Sequence, residues 1–392
     1  MENEKTSTFS HGLLWFGAAV SLAEIMTGTL IAPLGLRQGI SAILVGHLIG
    51  CILFYLAGLI GAKTGRSAME TVKLSFGQKG SLLFSSLNIL QLTGWTAIMI
   101  LSGAKAAGMI FYSESSWIWS ILICGLIVLW LLIGVKNLNR LNTIAMAGLF
   151  GLSVLLSVLV FKGPAAVIMP SSISFGAAVE LSAAMPLSWL PLVSDYTCGA
   201  KKPKIAAFVS AFVYFLTSSW MYLIGMCAAI FTGESDITVI MIKAGFGLAG
   251  LLIVIFSTVT TTFLDVFSAG MSAFSISKRC STKWISITVC LIGTILAIFI
   301  PVTQFENFLY LIGSVFAPMI AIQVADTLIL KHDSSGQSFN RKNLILWAIG
   351  FFIYRYFMSF GTPLGNTLPV MLIVVGLCVI TNKFMGGKQD VR

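Results

Sequence analysis

Four carboxylates stand inside or at the edge of long apolar runs: Glu24, Glu180, Asp265 and Asp326. A charge in hydrocarbon costs roughly 2.5 to 3.5 kcal/mol at a helix centre on insertion scales, so each acid is a functional candidate by default. Glu24 lies just before Thr27-Gly28-Thr29, and Asp265 follows the hydroxyl-rich run Ser257, Thr258, Thr260, Thr261 and Thr262. Hydroxyls and carbonyls released from a helix are hard oxygen ligands for a small cation. A carboxylate beside them can neutralise that cation, take up a proton, or accept amino and ring N–H groups. Against this, Ser and Thr in membrane helices commonly bond back to their own helix, and that reading stands for each hydroxyl taken singly. Glu180, near the outer end of its run, is expected to pair with Lys105 or to snorkel to the headgroups. Asp326, near the inner end of its run, suits a structural partner as well as a transport role.

Asn88, Gln91 and Trp95 follow one another at spacings of three and four and so share one helix face. An indole with amides one and two turns away can stack on a flat heterocycle while the amides read its edge. Tryptophan also serves as packing or interfacial belt, and Trp15, Trp117 and Trp284, close to segment ends, fit the belt.

The elements that must position these groups follow from composition. Of 392 residues 57% are hydrophobic and 10% charged, with a mean hydropathy of +0.96, far outside the range of water-soluble domains. At roughly 20 residues per spanning helix there is room for about twelve spans and no soluble catalytic domain. The apolar runs are 12–35, 40–62, 82–111, 117–135, 141–161, 175–193, 205–231, 244–276, 284–302, 305–330, 344–360 and 364–380. Helix is their expected form, because a backbone in hydrocarbon must satisfy its own hydrogen bonds and the runs exceed a barrel strand.

The net charge of +10 would suit nucleic acid in a soluble chain, but here its location decides otherwise. With a cytoplasmic N-terminus, every Lys and Arg faces inward except Arg37, Lys162 and Lys243 outside and Lys105 and Arg355 within spans. The positive-inside rule then predicts a multi-pass protein of the cytoplasmic membrane with both termini in the cytoplasm and no nucleic-acid partner. The seven cysteines are scattered, with no C-x-x-C pair, and indicate neither a disulfide framework nor a metal site. The N-terminal stretch is not expected to be a removable signal peptide.

Two runs carry helix-breaking residues near their middles: Thr27-Gly28-Thr29 and Pro33 in the first, Pro186 and Pro191 in the sixth. Interrupted helices at matching positions of two halves point to an inverted-repeat transporter whose sites lie at the breaks. Gly and Pro are common in membrane helices, and the matched spacing of five segments is what favours the transporter.

The segments SLAEIMTGTLIAPLG, SFGQKGS, QLTGWTAIMI, PLSWLPLVSDYT, TTTFLDVFSAG and FLYLIGSVFAPMIAIQVADTLIL together resemble the nucleobase:cation symporter-1 family, most closely its CytX-like branch of hydroxymethylpyrimidine transporters. The resemblance implies one all-α membrane domain of LeuT type, with inverted five-helix repeats at 12–161 and 175–330 and two additional helices at 344–380. It implies a planar base held between an aromatic of the third segment, which is Trp95, and one of the sixth. There the matching position is Pro186, so Met185 or Trp189 must supply the second wall. The substrate set is then Trp95, Gln91, Asn88, Glu24, Met185, Pro186, Trp189 and Asp265. A cation site between the first and eighth segments is implied at Ala23, Glu24, Ser257, Thr260 and Thr261. Asp265 stands where the family has a neutral amide.

The function expected is cation-coupled import of hydroxymethylpyrimidine or a related thiamine precursor, with cytosine or another nucleobase as the alternative. The coupling ion is sodium or a proton; no cofactor, no metal beyond a sodium site and no obligate protein partner are expected besides membrane lipid. An enzyme is disfavoured by the short loops and by the absence of a catalytic His pair, His47 standing alone in its helix. A channel is disfavoured by the lack of a repeated filter or a ring of charge.

Overall fold

The computed structural model describes residues 5–111, 115–133, 139–161, 173–233, 239, 247–299 and 305–385. The predicted segment ends Val135, Ala244 and Val302 and the basic residues Lys136, Lys162, Lys243, Lys388 and Arg392 lie outside them. Among the described residues fifteen α-helices follow one another: α1 (Thr8–Ala19), α2 (Leu22–Ile31), α3 (Gly35–Thr64), α4 (Ala68–Phe76), α5 (Gly80–Ile110), α6 (Ser116–Ile133), α7 (Asn139–Phe161), α8 (Phe175–Ser188), α9 (Val193–Thr197), α10 (Pro203–Thr232), α11 (Gly247–Ile276), α12 (Thr282–Phe299), α13 (Phe305–Val324), α14 (Arg341–Phe357) and α15 (Thr367–Met385). Each of the predicted apolar runs contains helix. Seven described helical stretches are long and apolar enough to cross a membrane, judged by length and composition. Segments α1, α8 and α9 fall short because the chain is interrupted inside their runs. Large apolar side chains such as Leu90, Phe212, Phe299 and Phe352 remain exposed on the outer faces, as lipid contact requires and water would not tolerate.

The first interruption does not fall where Thr27-Gly28-Thr29 and Pro33 were expected to make it. α1 ends at Ala19, Val20 and Ser21 leave helical geometry, and α2 starts at Leu22 with the Ser21 hydroxyl accepting from the Glu24 N–H at 3.3 Å. The signal was Ser21-Leu22-Ala23-Glu24, the serine-x-x-glutamate signature of a helix start. Thr27-Gly28-Thr29 is helical and does something else. Gly28 of α2 lies against the Tyr222 backbone and Gly225 of α10 against the Ile25 backbone, so a Cβ on either would overlap main chain. Here glycine permits close helix approach, as small residues do between membrane helices. Pro33 sits in the tight turn Ala32–Leu34 that leads into α3, where its fixed φ and missing N–H cost nothing.

The second interruption falls where the prolines predict it. α8 ends at Ser188, two residues past Pro186, and residues 189–192 form turns before α9. The carbonyl of Pro191 in that turn is taken by the Asn88 side-chain amide of α5 at 3.0 Å.

Around the two breaks α5 packs most extensively on α11, and α3 on α8 and α10. One acid departs from its expected partners and another keeps one of its two expected roles. Glu180 does not meet Lys105, which is exposed. It accepts from Tyr354 of α14 at 2.5 Å, from the Thr367 hydroxyl at 2.6 Å, and from the backbone N–H groups of Asn366 and Thr367 at 2.6 and 2.9 Å. A carboxylate at the start of α15 also meets the positive end of that helix dipole. Asp326 is structural, accepting from Asn343 at 2.6 Å, which also donates to the Ser75 carbonyl and so ties α14 to α4.

Candidate functional site

The breaks of both interrupted segments open on one buried cavity. It is lined by Ser21, Ala23 and Glu24 of the first, Met185, Ser188 and Trp189 of the sixth, Trp95 and Met99 of α5, and Thr261 and Asp265 of α11. Trp95 with Met99 and Thr261 with Asp265 are pairs spaced by four, so each helix presents one face. The free space is about 20 Å³, room for one water and too small for a six-membered ring. A ring of that size would fit only after side chains turned.

Trp95 is buried and braced edge-on by Phe308 of α13 at 5.6 Å. Behind Trp189 lies Trp15, fully buried and in edge contact with Phe54, Trp189, Tyr196 and Tyr214. Trp15 thus corrects the belt expectation, whereas Trp117 and Trp284 are 53% and 66% exposed and fit it. Tyr196 of α9 donates to the Leu264 carbonyl at 2.9 Å and fixes the second break against α11 beside Asp265.

The two cavity acids differ in their partners. Glu24 accepts from Tyr214 at 2.5 Å and from Ser218 at 2.7 Å, both on α10. Trp189 in turn donates its indole N–H to the Tyr214 oxygen at 2.8 Å, so this cavity-lining residue is linked to the acid through Tyr214. Asp265 is 4% exposed, and among the described residues no group donates to its carboxylate. An acceptor-only group so placed calls for donors from a ligand.

The hydroxyl run divides likewise. Ser257 and Thr260 bond to carbonyls of their own helix, at 3.3 Å to Val254 and 2.8 Å to Phe256. Thr258, Thr261 and Thr262 are buried hydroxyls with no such bond, and of the run only Thr261 reaches the cavity. Of the expected cation set the structure therefore brings Ala23, Glu24 and Thr261 together, and leaves Ser257 and Thr260 engaged elsewhere.

A family model described as permease for cytosine/purines, uracil, thiamine and allantoin matches residues 2–337. The chain belongs to the nucleobase:cation symporter family. This permease is 26% identical to the cytosine permease of Escherichia coli strain K12 over 365 residues, 91% of this chain and 84% of that one. In fold it is similar to Mhp1, a nucleobase-cation-symport-1 family transporter solved closed with bromovinylhydantoin, at a TM-score of 0.81 and 16% identity over 97% of this chain and 94% of that one. It is also similar to a sodium-coupled sialic acid symporter, at 0.74 and 16% over 97% and 90%. The family and fold are those of transporters, and the LeuT-type fold implied by the resemblance is the fold found.

Three residues expected at the permease's substrate site lie off the cavity lining. Pro186 turns its ring toward Gly50 of α3, so it is a helix breaker and not a wall. Asn88 gives both amide hydrogens to structure, to the Pro191 carbonyl and at 2.9 Å to the Ser272 hydroxyl of α11. Gln91 donates to the Asn88 oxygen at 2.7 Å, and its own buried side-chain oxygen accepts nothing. The amides thus hold the second break between α5 and α11. Met99, Ser188, Tyr214, Ser218 and His47 were not anticipated. Tyr214, Ser218 and Tyr222 form a polar stripe at spacing four in a largely apolar helix, which was the signal available.

Proposed function

We propose that the permease imports an aminopyrimidine base by secondary active transport across the cytoplasmic membrane, with both termini inside and no cofactor or obligate partner. In this reading segments 12–161 and 175–330 are the two repeats that rock around the cavity, and 344–380 are additional. The base stacks on Trp95, with Met185 or a reoriented Trp189 as the second wall, and Asp265 accepts its N–H groups. Thr261 and the backbone near Ala23 supply oxygens for a cation. The observation that carries the reading is Asp265: a buried carboxylate to which no described residue donates, lining the same cavity as the buried Trp95 indole.

A carboxylate only accepts, so the ligand edge facing it must be donors. The exocyclic amino group of an aminopyrimidine supplies such a donor; uracil, with a carbonyl in that position, does not. The name of the cytosine permease relative supports cytosine, while hydroxymethylpyrimidine rests on the likeness to its branch. Uptake of labelled cytosine by cells making the protein, challenged with unlabelled bases, tests the reading. Cytosine and hydroxymethylpyrimidine are expected to compete and uracil to compete poorly; equal competition by uracil would refute it, and the stronger of the two aminopyrimidines identifies the substrate. Trp95→Ala is expected to raise the half-saturating concentration about tenfold, since aromatic–base stacking contributes about 1 to 3 kcal/mol. Unchanged saturation kinetics would remove Trp95 from the site.

A further inference from the structure

Two groups of helices meet at the cavity. α1, α2, α3, α8 and α10 pack on one another, and α5, α6, α11 and α12 do likewise. The short helix α4 belongs with the second group: Lys73 donates to the Ser275 carbonyl near the end of α11 at 3.0 Å, and Lys73 and Lys278 both meet Glu70, at 2.9 and 2.7 Å. α9 belongs with the first. Ser194 donates to the Ala57 carbonyl of α3 at 2.9 Å and Thr197 to the Gly58 carbonyl at 2.8 Å, from positions that share one face of α9. Gly61 gives this face a close seat, since a Cβ there would overlap Ser194.

The rest of the same stretch grips the other group. The Pro191 carbonyl accepts from Asn88 of α5 at 3.0 Å, the Asp195 carboxylate accepts from the Ala68 N–H at the start of α4 at 2.8 Å, and Tyr196 donates to the Leu264 carbonyl of α11 at 2.9 Å. Ser268, one turn beyond Leu264, donates to the Tyr196 oxygen at 3.3 Å. Residues 191–196 thus hold α5, α4 and α11 at once.

Asn88 also donates to Ser272, while Trp95 and Asp265 share the cavity, so α5 and α11 run antiparallel. The junction of Asn88, Ser272 and Pro191 therefore fills the space between them two turns, about 10 Å, from the cavity. It lies on the side of Lys73 and Lys278, which the proposed orientation puts in the cytoplasm. Beside it the buried Gln91 oxygen accepts nothing, an orphan that a water-filled passage would hydrate.

We propose that this clasp is the cytoplasmic gate of the permease: α9 rides on α3, and parting of residues 191–196 from Asn88, Ala68 and Leu264 opens the way out for the base. This rests on the reading of the chain as a permease with both termini inside, and names the residues that close its inner end.

The bonding suits a gate. Each tie joins a side chain to a main-chain group: the Pro191 carbonyl in a turn, the Ala68 N–H in the unbonded first turn of α4, and the Leu264 carbonyl. Water takes over both ends when such bonds part, so each is modest in net strength and the clasp opens without unfolding a helix. The Ser194 and Thr197 bonds, on the other face, keep α9 with α3 as it moves.

Cysteine labelling without substrate tests this. Ser272→Cys, which keeps the size of the side chain, is exposed to a membrane-impermeant maleimide in inside-out vesicles and in whole cells, and modification at that residue is read by mass spectrometry. Tyr196→Phe is expected to raise its labelling rate from the cytoplasmic side about three- to tenfold, the loss of one hydrogen bond, and Asp195→Ala about tenfold or more, the loss of one to a charged group. Phe308→Cys reports the opposite side, since Gln323 at the other end of α13 reaches Thr71 of α4 at 3.1 Å. In the same gate variants its labelling from outside is expected to fall, as the population shifts inward. A rise at both positions is unfolding and overturns the gate. Thr197→Val, which loosens the face held by α3, is expected to leave Ser272→Cys labelling at the parental rate. Unchanged rates in Tyr196→Phe and Asp195→Ala, or an equal rise in Thr197→Val, overturn the gate. Labelling of Ser272→Cys that rises only from outside overturns it together with the proposed orientation. If neither cytosine nor hydroxymethylpyrimidine is taken up, the substrate reading fails, and the labelling, which needs no substrate, still decides the gate.

Discussion

Asp265→Asn is expected to cut uptake of the labelled aminopyrimidine at low concentration by about 10- to 100-fold, with the protein still in the membrane at parental levels. The carboxylate sits on α11 one turn from Thr261, in a cavity walled by Trp95 and Met99, and among the described residues no donor shares its charge. A charge-assisted hydrogen bond from a ligand amino group contributes about 1.5 to 3 kcal/mol. Asparagine keeps the volume and one acceptor oxygen but removes the charge that strengthens that bond. A site built to hydrogen-bond its ligand discriminates strongly when that pairing is lost. Since the carboxylate holds no structural partner, the melting temperature should hardly fall, and this separates a binding defect from a folding one. Parental uptake by the variant would remove Asp265 from the site and with it the preference for aminopyrimidines.

Glu180→Ala is expected to be the converse, a stability defect. Its carboxylate joins α8 to α14 and to the start of α15 through four hydrogen bonds. Removing it leaves two buried hydroxyls and two backbone N–H groups without an acceptor, a loss of about 3 to 5 kcal/mol. In a chain of this size the thermal midpoint in detergent should drop by about 5 to 10 °C. Glu180→Gln, which keeps one acceptor oxygen, should lose less than half of that. A midpoint unchanged in the alanine variant would mean that the last two helices are not held to α8 by this group. Both effects follow from burial, yet they separate cleanly: Asp265 is buried without donors and Glu180 with four.

That contrast shows what could be read from residues alone. Both acids stand in apolar runs, and sequence marks them equally. Hydropathy fixed the helical form of the apolar segments, because hydrocarbon leaves a backbone no alternative to helix. The prolines at 186 and 191 located the second break, because proline cannot donate to the turn before it. The face shared by Trp95 and the amides followed from helix geometry, yet Asn88 turned out to hold the Pro191 carbonyl. A side chain's partner on another helix is not encoded in its own spacing.

The first break shows the same limit from the other side. Ser21-Leu22-Ala23-Glu24 carried a helix-start signature, but in an apolar run the threonine-glycine step was the louder signal, and its glycine serves helix contact instead. His47 meets Ser182 and Ser218, and Ser218 meets Glu24, which joins α3, α8, α10 and α2 across separations of 135 to 194 residues. Composition and periodicity alone determined that this chain is a helical membrane protein with two interrupted segments. Which acid is satisfied and which is left for a ligand was decided only when the helices packed, because hydrogen bonds in a dry interior depend on the neighbour supplied by another part of the chain.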